Sequence, residues 1–234
     1  MIELRRAEGA PPLRIGHRGA AALAAENTIA SLALAVELGC DLVEFDVLER
    51  GGQLVVAHSA SEVPSELATF DEALGFLAES SAGPHVDLKT PGAEAAVAEA
   101  LRQHGLVERT LVSSFRPASL RALHAVEPGV RIGLGYPGDR HGLAQRRAFE
   151  PFVGLGIAAM RTGLARRIGR MLERAHATTA VLHWRVVDRA VVERCHAQGV
   201  PVVAWTVETR ADAQRLDELG VDGLIADDPR LIQG

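Results

Sequence analysis

The chain of 234 residues contains a single lysine, Lys89, and a single asparagine, Asn27; its other twenty-four basic residues are all arginine. An excess of alanine and arginine accompanies this depletion, as a coding bias would produce. Such a chain keeps its last lysine either by chance or where arginine's planar fork cannot replace a compact ammonium. Cysteine is almost as scarce. Cys40 and Cys195 lie in unrelated contexts without CxxC spacing, which excludes a disulfide framework and a thiolate metal cluster and fits a reducing compartment. Aromatic residues make up only 4%. No apolar run approaches the length of a bilayer span. Met1 to Pro12 carries Glu3, Arg5, Arg6 and Glu8 where a secretory leader would need an unbroken apolar stretch, so the expected location is the cytoplasm. Nor is there an excess of positive charge. The formal net charge of −5 provides no global field for DNA, RNA or an acidic membrane surface, and nucleic acid is not expected as a main partner.

What the chain does have is a globular balance, 47% hydrophobic and 24% charged, with enough length for one large barrel or one doubly wound sheet. Short runs rich in Val, Ile and Leu alternate with longer Ala, Leu, Glu and Arg stretches. Strands are expected at Leu13 to Gly19, Leu42 to Leu48, His85 to Lys89, Thr110 to Phe115, Arg131 to Tyr136, Thr179 to Trp184, Val202 to Val207 and Gly223 to Ala226. A further extended segment is expected at Gln53 to His58. The first helix, Thr28 to Leu38, is expected to turn Ile29, Leu32, Ala33 and Val36 toward the core and to stop at Gly39. Two helical patterns lie between His141 and His176, divided near Gly163, and Asp188 is placed to cap another. Eight β/α units predict a closed (β/α)₈ barrel, a TIM barrel forming a single domain over residues 1–234. An open doubly wound sheet would carry a glycine-rich phosphate loop after strand one, and Gly16-His17-Arg18-Gly19 has neither the GxGxxG nor the Walker spacing.

Chemistry in such a barrel gathers at the C-terminal ends of the strands. There strand one offers His17-Arg18, strand two Glu44-Phe45-Asp46, the following extended segment His58, and strand three Asp87-Leu88-Lys89. Glu44 and Asp46, two apart, point to one face while Phe45 points to the helical layer. Two such carboxylates repel unless a proton, a lysine or a cation lies between them. With Asp87 as a third oxygen donor, a hard cation such as Mg²⁺ or Ca²⁺ is the expected guest; taken alone, the motif is equally a solvated pair at a strand end. His17 and His58 are candidate proton carriers. Of the seven other histidines, His104, His124, His141, His176 and His196 fall on helical patterns and are taken as surface or packing residues. Arg18 and Lys89 either bind an anion, phosphate above all, or simply pair with the carboxylates.

At these residues the sequence resembles the glycerophosphodiester phosphodiesterase family. The resemblance runs from His17 to Pro229 and includes His17-Arg18-Gly19, Glu26-Asn27-Thr28, Glu44-x-Asp46, His58, Ser114-Phe115, Trp205-Thr206-Val207 and Leu219-Gly220-Val221-Asp222-Gly223. It implies a (β/α)₈ barrel, one divalent cation and hydrolysis of a small-molecule phosphodiester joining glycerol to an alcohol. Carried over, Glu44, Asp46 and Asp87 hold the metal, and His17 and His58 serve as general base and acid. Arg18 and Lys89 bind the phosphoryl oxygens, and Trp205 forms an apolar wall. The attacking oxygen is either water or the substrate's own glycerol hydroxyl.

Several positions depart from the family pattern. Ala25 stands where proline is usual, Ser59 and Asp87 where aspartate and glutamate are, and Glu208 and Ala226 where asparagine and threonine are. Ser59 removes a carboxylate that could orient His58, which is therefore expected to be less firmly held. Val86-Asp87-Leu88-Lys89-Thr90 is similar to the strand-three motif of sphingomyelinase D-type phospholipases. The stretch Ser59 to Phe70 is too short for the cap domain common in the family, which implies a wider mouth and a bulkier diester such as a lysophospholipid. The alternatives are accordingly lysophospholipase D-type or sphingomyelinase D-like activity, or a barrel that binds phosphate esters without turnover. A carbon–nitrogen barrel hydrolase would want histidine-rich metal ligation, absent from these strand ends.

Overall fold

The structure is a computed structural model that describes residues 2–59, 67–138 and 160–232. Strand β1 (Leu13–Gly16) lies between β2 (Leu42–Arg50) and β9 (Gly223–Ala226), parallel to both, and this double pairing closes the sheet. Around the circle β2 is followed by β4 (Gly83–Leu88), β5 (Leu111–Ser114), β6 (Arg131–Tyr136), β7 (Thr179–His183), β8 (Val202–Val207) and β9, all parallel. Eight parallel strands therefore form the barrel. Strand β3 (Gln53–Val56) is antiparallel to β2 and stands outside the circle as the return arm of a hairpin.

The helices are α1 (Ile29–Glu37), α2 (Phe70–Ala78), α3 (Glu94–Gln103), α4 (Pro117–Val126), α5 (Leu164–Ala175), α6 (Arg189–His196) and α7 (Arg210–Glu218). Helix α5 is the second of the two patterns expected between His141 and His176; most of the first, with His141, falls outside the described residues. Side-chain caps start several of them. Thr28 accepts from the Ser31 amide, Thr69 and Glu72 form a reciprocal capping box, and Asp188 accepts from the Val191 amide.

Alternation along the strands divides the core in two. Val43, Phe45 and Val47 point outward against the helices, where the Phe45 and Phe70 ring centroids lie 6.2 Å apart. Ile15, Leu42, Leu111, Val181, Val203 and Ile225 point inward and form a second cluster at the base of the barrel. Leu4, from the segment before β1, is fully buried among them and closes the bottom. Backbone bonding at Ile2 and the Arg6 guanidinium on the Asp217 carbonyl, 2.8 Å, hold that segment in place. Nearby, the fully buried Asp222 accepts from the Val202 amide at 2.7 Å and from His196 Nε2 at 2.8 Å, so His196 is a packing residue.

Two local expectations are corrected. Strand β1 stops at Gly16, because the chain turns at once through Arg18 (φ 47°) and Gly19 (φ 85°) to cross the end of β2. A Cβ on Gly19 would stand 2.3 Å from Ser31 Oγ, so the crossing requires glycine. The fully buried face of α1 is Ser31, Leu32 and Ala35; of the stripe expected, Leu32 lies in the core and Ile29 and Val36 pack against its edge, so the helix is rotated toward Ser31. Ser31 faces inward because its hydroxyl donates to the Arg18 carbonyl, 2.8 Å, and accepts from the Ala20 amide, 2.9 Å. A polar residue on the buried face thus fastens the turn that carries His17 and Arg18.

Candidate active site

Register places the carboxylates. Glu44 and Asp46 of β2 pair with His85 and Asp87 of β4, and Asp87 pairs with Ser113 of β5, so all five share one inward-facing layer system. Oxygen atoms of Glu44, Asp46 and Asp87 lie within 4.8 Å of one another. Burial pushes the Glu44 carboxyl up to about 7, and the neighbouring Asp46 and Asp87 push the same way against the pull of His17 and Lys89. The Lys89 ammonium, bonded to Asp87 and 2.7 Å from Asp46 Oδ1, already shows that two of the carboxylates converge on a point that accepts a cation. Burial disfavours that ammonium, yet Asp87, Asp46 and Glu44 outweigh burial and hold its pKa above the ordinary lysine value. Three carboxylate donors without thiolate or imidazole fit a hard divalent cation.

Asp46 is the hub. Its Oδ2 accepts from Asn27 Nδ2 at 3.0 Å and lies 3.1 Å from His58 Nδ1. Arg18 Nε is also 3.1 Å away, but out of line for a hydrogen bond. Burial would raise the Asp46 pKa; the His58 bond, Lys89 and Arg18 together hold it far below the usual carboxylate range. Nδ1 of His58 is likewise 3.1 Å from Arg18 Nη2. It can donate to Asp46 or accept from Arg18, not both. The imidazolium pairs with Asp46, and the neutral Nε2–H tautomer accepts from Arg18. His58 is thus held in either state by partners from the turn after β1 and from β2, and the missing carboxylate at Ser59 is made good from elsewhere in the fold.

His17 lies across the mouth, its Nε2 3.9 Å from Glu44 Oε2 and its Nδ1 2.6 Å from Asp227 Oδ1. Burial disfavours its charged form, but Glu44 and Asp227 outweigh burial and raise the pKa above that of a free imidazole. Arg18 donates its amide to Glu44 Oε2 and Nη1 to Glu26 Oε1, both at 2.8 Å. The other half of the mouth is apolar. Trp205 on β8 packs edge-on to Phe115 at 5.5 Å and to His183 at 5.1 Å, with its Nε1 donating to the Val181 carbonyl. Gly135 makes room for Phe115, since a Cβ there would stand 2.8 Å from the ring. Burial, with a smaller push from Arg185, lowers the His183 pKa to about 4, so this imidazole is neutral.

With this geometry in place, the profile of the glycerophosphoryl diester phosphodiesterase family matches residues 17–65 and 65–231. The chain belongs to that family. A glycerophosphodiester phosphodiesterase of Caldanaerobacter subterraneus subsp. tengcongensis is 28% identical, over 94% of this chain and 96% of its own. Among solved structures, a phosphodiesterase of Oleispira antarctica in complex with the product sn-glycerol-3-phosphate superposes with a TM-score of 0.75. It is 25% identical, covering 95% of this chain and 96% of that one. The glycerophosphodiester phosphodiesterase of Agrobacterium tumefaciens shares the fold, with a TM-score of 0.69 at 22% identity over 94% and 98% of the two chains.

Every site residue expected from the sequence of this family member lies at the same end of the barrel. Others were missed. Asp227, at the end of β9, orients His17. Asn27 has a left-handed backbone (φ 57°), which asparagine tolerates better than most residues, and its amide brackets Asp46 from both sides, accepting from the Asp46 amide at 3.1 Å. Its being the only asparagine was the available signal. Beneath Asp87, Ser113 Oγ donates to Asp87 Oδ1 at 3.2 Å and accepts from His85 Nε2 at 3.0 Å. Burial lowers the His85 pKa to about 3, so the ring is neutral, and its buried Nδ1 has no hydrogen-bond partner among the described residues. Nothing in the sequence distinguishes His85 or Ser113 from ordinary barrel lining.

Proposed function

We propose that the protein is a metal-dependent phosphodiesterase that hydrolyses glycerophosphodiesters to glycerol phosphate and an alcohol. The observation that carries this reading is the meeting of three carboxylates, two separately oriented imidazoles and two cationic side chains at one barrel mouth. Glu44, Asp46 and Asp87 would hold one Mg²⁺ or Ca²⁺, which supplies Lewis-acid polarisation of the phosphoryl group. Arg18 and Lys89 place positive charge where the phosphoryl oxygens bind. His17, in its neutral form, takes the proton from the attacking oxygen, and Asp227 stabilises the imidazolium that results. His58, as imidazolium paired with Asp46, gives its Nε2 proton to the leaving alkoxide. The oxygen–phosphorus bond to the nucleophile forms as that to the alcohol breaks.

The apolar wall of Phe115 and Trp205, opposite the ionic half, favours a substrate whose alcohol carries an apolar group, and a lysophospholipid is the second reading on that ground. The test is a panel of glycerophosphodiesters and lysophospholipids assayed with Mg²⁺, Ca²⁺ and EDTA. Turnover abolished by EDTA and restored by one of the ions is expected, with Glu44→Gln weakening metal binding measured by calorimetry. His17→Ala and His58→Ala should each cut turnover by roughly two to four orders of magnitude. Undiminished turnover in EDTA, or in both histidine variants, would overturn the scheme. Phosphate-ester binding without any turnover would make the barrel a binding protein.

A further inference from the structure

The net charge of −5 conceals a strong asymmetry. From Arg116 to Gln198 the sequence has fourteen arginines against six carboxylates, whereas the rest of the chain has eleven basic residues against twenty-four acidic ones. The described parts of this stretch, residues 116–138 and 160–198, fold as adjacent units on one side of the barrel, with α5 packed between α4 and α6. Helix α5 turns Leu164, Ile168, Leu172 and Ala175 to the core. Arg166, Arg170 and Arg174 stand on the opposite face, all exposed, at four-residue spacing and so about 6 Å apart along the axis. None of the three is ion-paired with a described residue. Like charges at this spacing disfavour an isolated helix, so helix stability does not account for them.

The surroundings extend the stripe. Exposed Arg167 lies on the same side of α5, exposed Arg121 of α4 donates to the Arg174 carbonyl at 2.9 Å, and Arg189 and Arg194 are exposed on α6. Among the carboxylates nearby, Asp188 is paired with Arg161 and Glu127 with Arg102, while Glu173 on α5 and Glu193 on α6 are exposed and leave the arginines of this face in clear excess. Two of the three exposed large aliphatic side chains of the described residues, Val126 (45% exposed) and Met160 (41%), stand at opposite ends of this face.

We propose that the α4–α5–α6 face docks on an anionic lipid surface, with Arg166, Arg170 and Arg174 meeting the phosphate groups. A basic helical face edged by aliphatic side chains suits the interfacial zone of a bilayer. Binding of single-stranded nucleic acid would call instead for aromatic side chains on which bases stack, and α5 presents none. The acidic remainder of the molecule is repelled by the same surface, so the asymmetry also sets the orientation. A lipid-derived phosphodiester would then be met at its surface concentration, which bears on the proposed activity without depending on it.

Vesicle sedimentation tests the docking without turnover. The protein should co-sediment with phosphatidylcholine vesicles containing phosphatidylglycerol and not with phosphatidylcholine alone. Release is expected at about 1 M salt, where the screening length falls to about 3 Å. The Arg166→Gln/Arg170→Gln/Arg174→Gln variant should bind about a hundredfold more weakly, from about fivefold for each arginine lost, with an unchanged melting curve. Arg50→Gln, exposed on β2 away from this face, should bind as the wild type does. Absence of binding to the anionic vesicles at low salt, wild-type binding by the triple variant, or tighter binding to an RNA oligonucleotide than to vesicles would each overturn the proposal. Failure here leaves the hydrolysis reading standing, and loss of hydrolysis in the panel leaves the docking standing.

Discussion

His17 Nδ1 is held 2.6 Å from Asp227 Oδ1, a carboxylate 210 positions later in the chain. The bond fixes the imidazole with Nε2 toward Glu44 and contributes to the raised pKa of His17. With His17 as the proposed general base, the acid limb of the rate profile follows its pKa, and the Asp227 carboxylate pushes that limb toward higher pH. Asp227→Asn keeps an acceptor for Nδ1–H but removes the charge. The acid limb of kcat/KM should therefore move to lower pH, with a lower plateau rate. A limb that stays in place would show that His17 is not the group being titrated.

Asn27 offers a test of the support around Asp46. Asn27→Gly accepts the same left-handed backbone and removes only the amide, leaving the Asp46 amide and Oδ2 each short of a partner. An unpaired buried group costs about 1–3 kcal/mol. Weaker metal binding by calorimetry and a fall in turnover of roughly tenfold or more are expected. Unchanged metal affinity would show that Asp46 needs no help from the α1 turn.

Lys89→Arg probes the single lysine. The ammonium lies between Asp46 and Asp87 and is paired with both, close beside the three carboxylates. A planar guanidinium there should crowd the metal or the phosphoryl group. Turnover should drop by at least about tenfold, equivalent to about 1.4 kcal/mol of transition-state stabilisation, with little change in melting temperature. Native turnover would mark the lysine as a leftover of coding bias.

Leu4 is far from the chemistry and fully buried at the base of the barrel. Leu4→Ala should cost about 2–5 kcal/mol, as buried leucine truncations do. At about 2–4 °C per kcal/mol for a chain of this size, the melting temperature should fall by several degrees while kcat at low temperature stays near that of the wild type. An unshifted melting temperature would show that the N-terminal segment contributes nothing to the barrel.

The β/α rhythm, the eight barrel strands and the inward direction of Glu44 and Asp46 were all legible in the sequence, because each is a matter of local periodicity. A two-residue repeat fixes which side chains share a face, and a run of apolar residues fixes where a strand lies. The partners of those side chains were not legible. Asp227 reaches His17 only because the last strand closes on the first, and Asp46 replaces the expected neighbour of His58 because β3 returns antiparallel along β2 and brings His58 back beside it. Ser31 faced inward against its polarity because the tertiary fold offered it two backbone partners. The sequence likewise determined a net charge of −5, but a sum has no direction. The excess of arginine between Arg116 and Gln198 stands in the sequence, but only the packing of α5 between α4 and α6 turned the arginines of those helices to one outer face, since which face a helix exposes depends on what its other face is packed against.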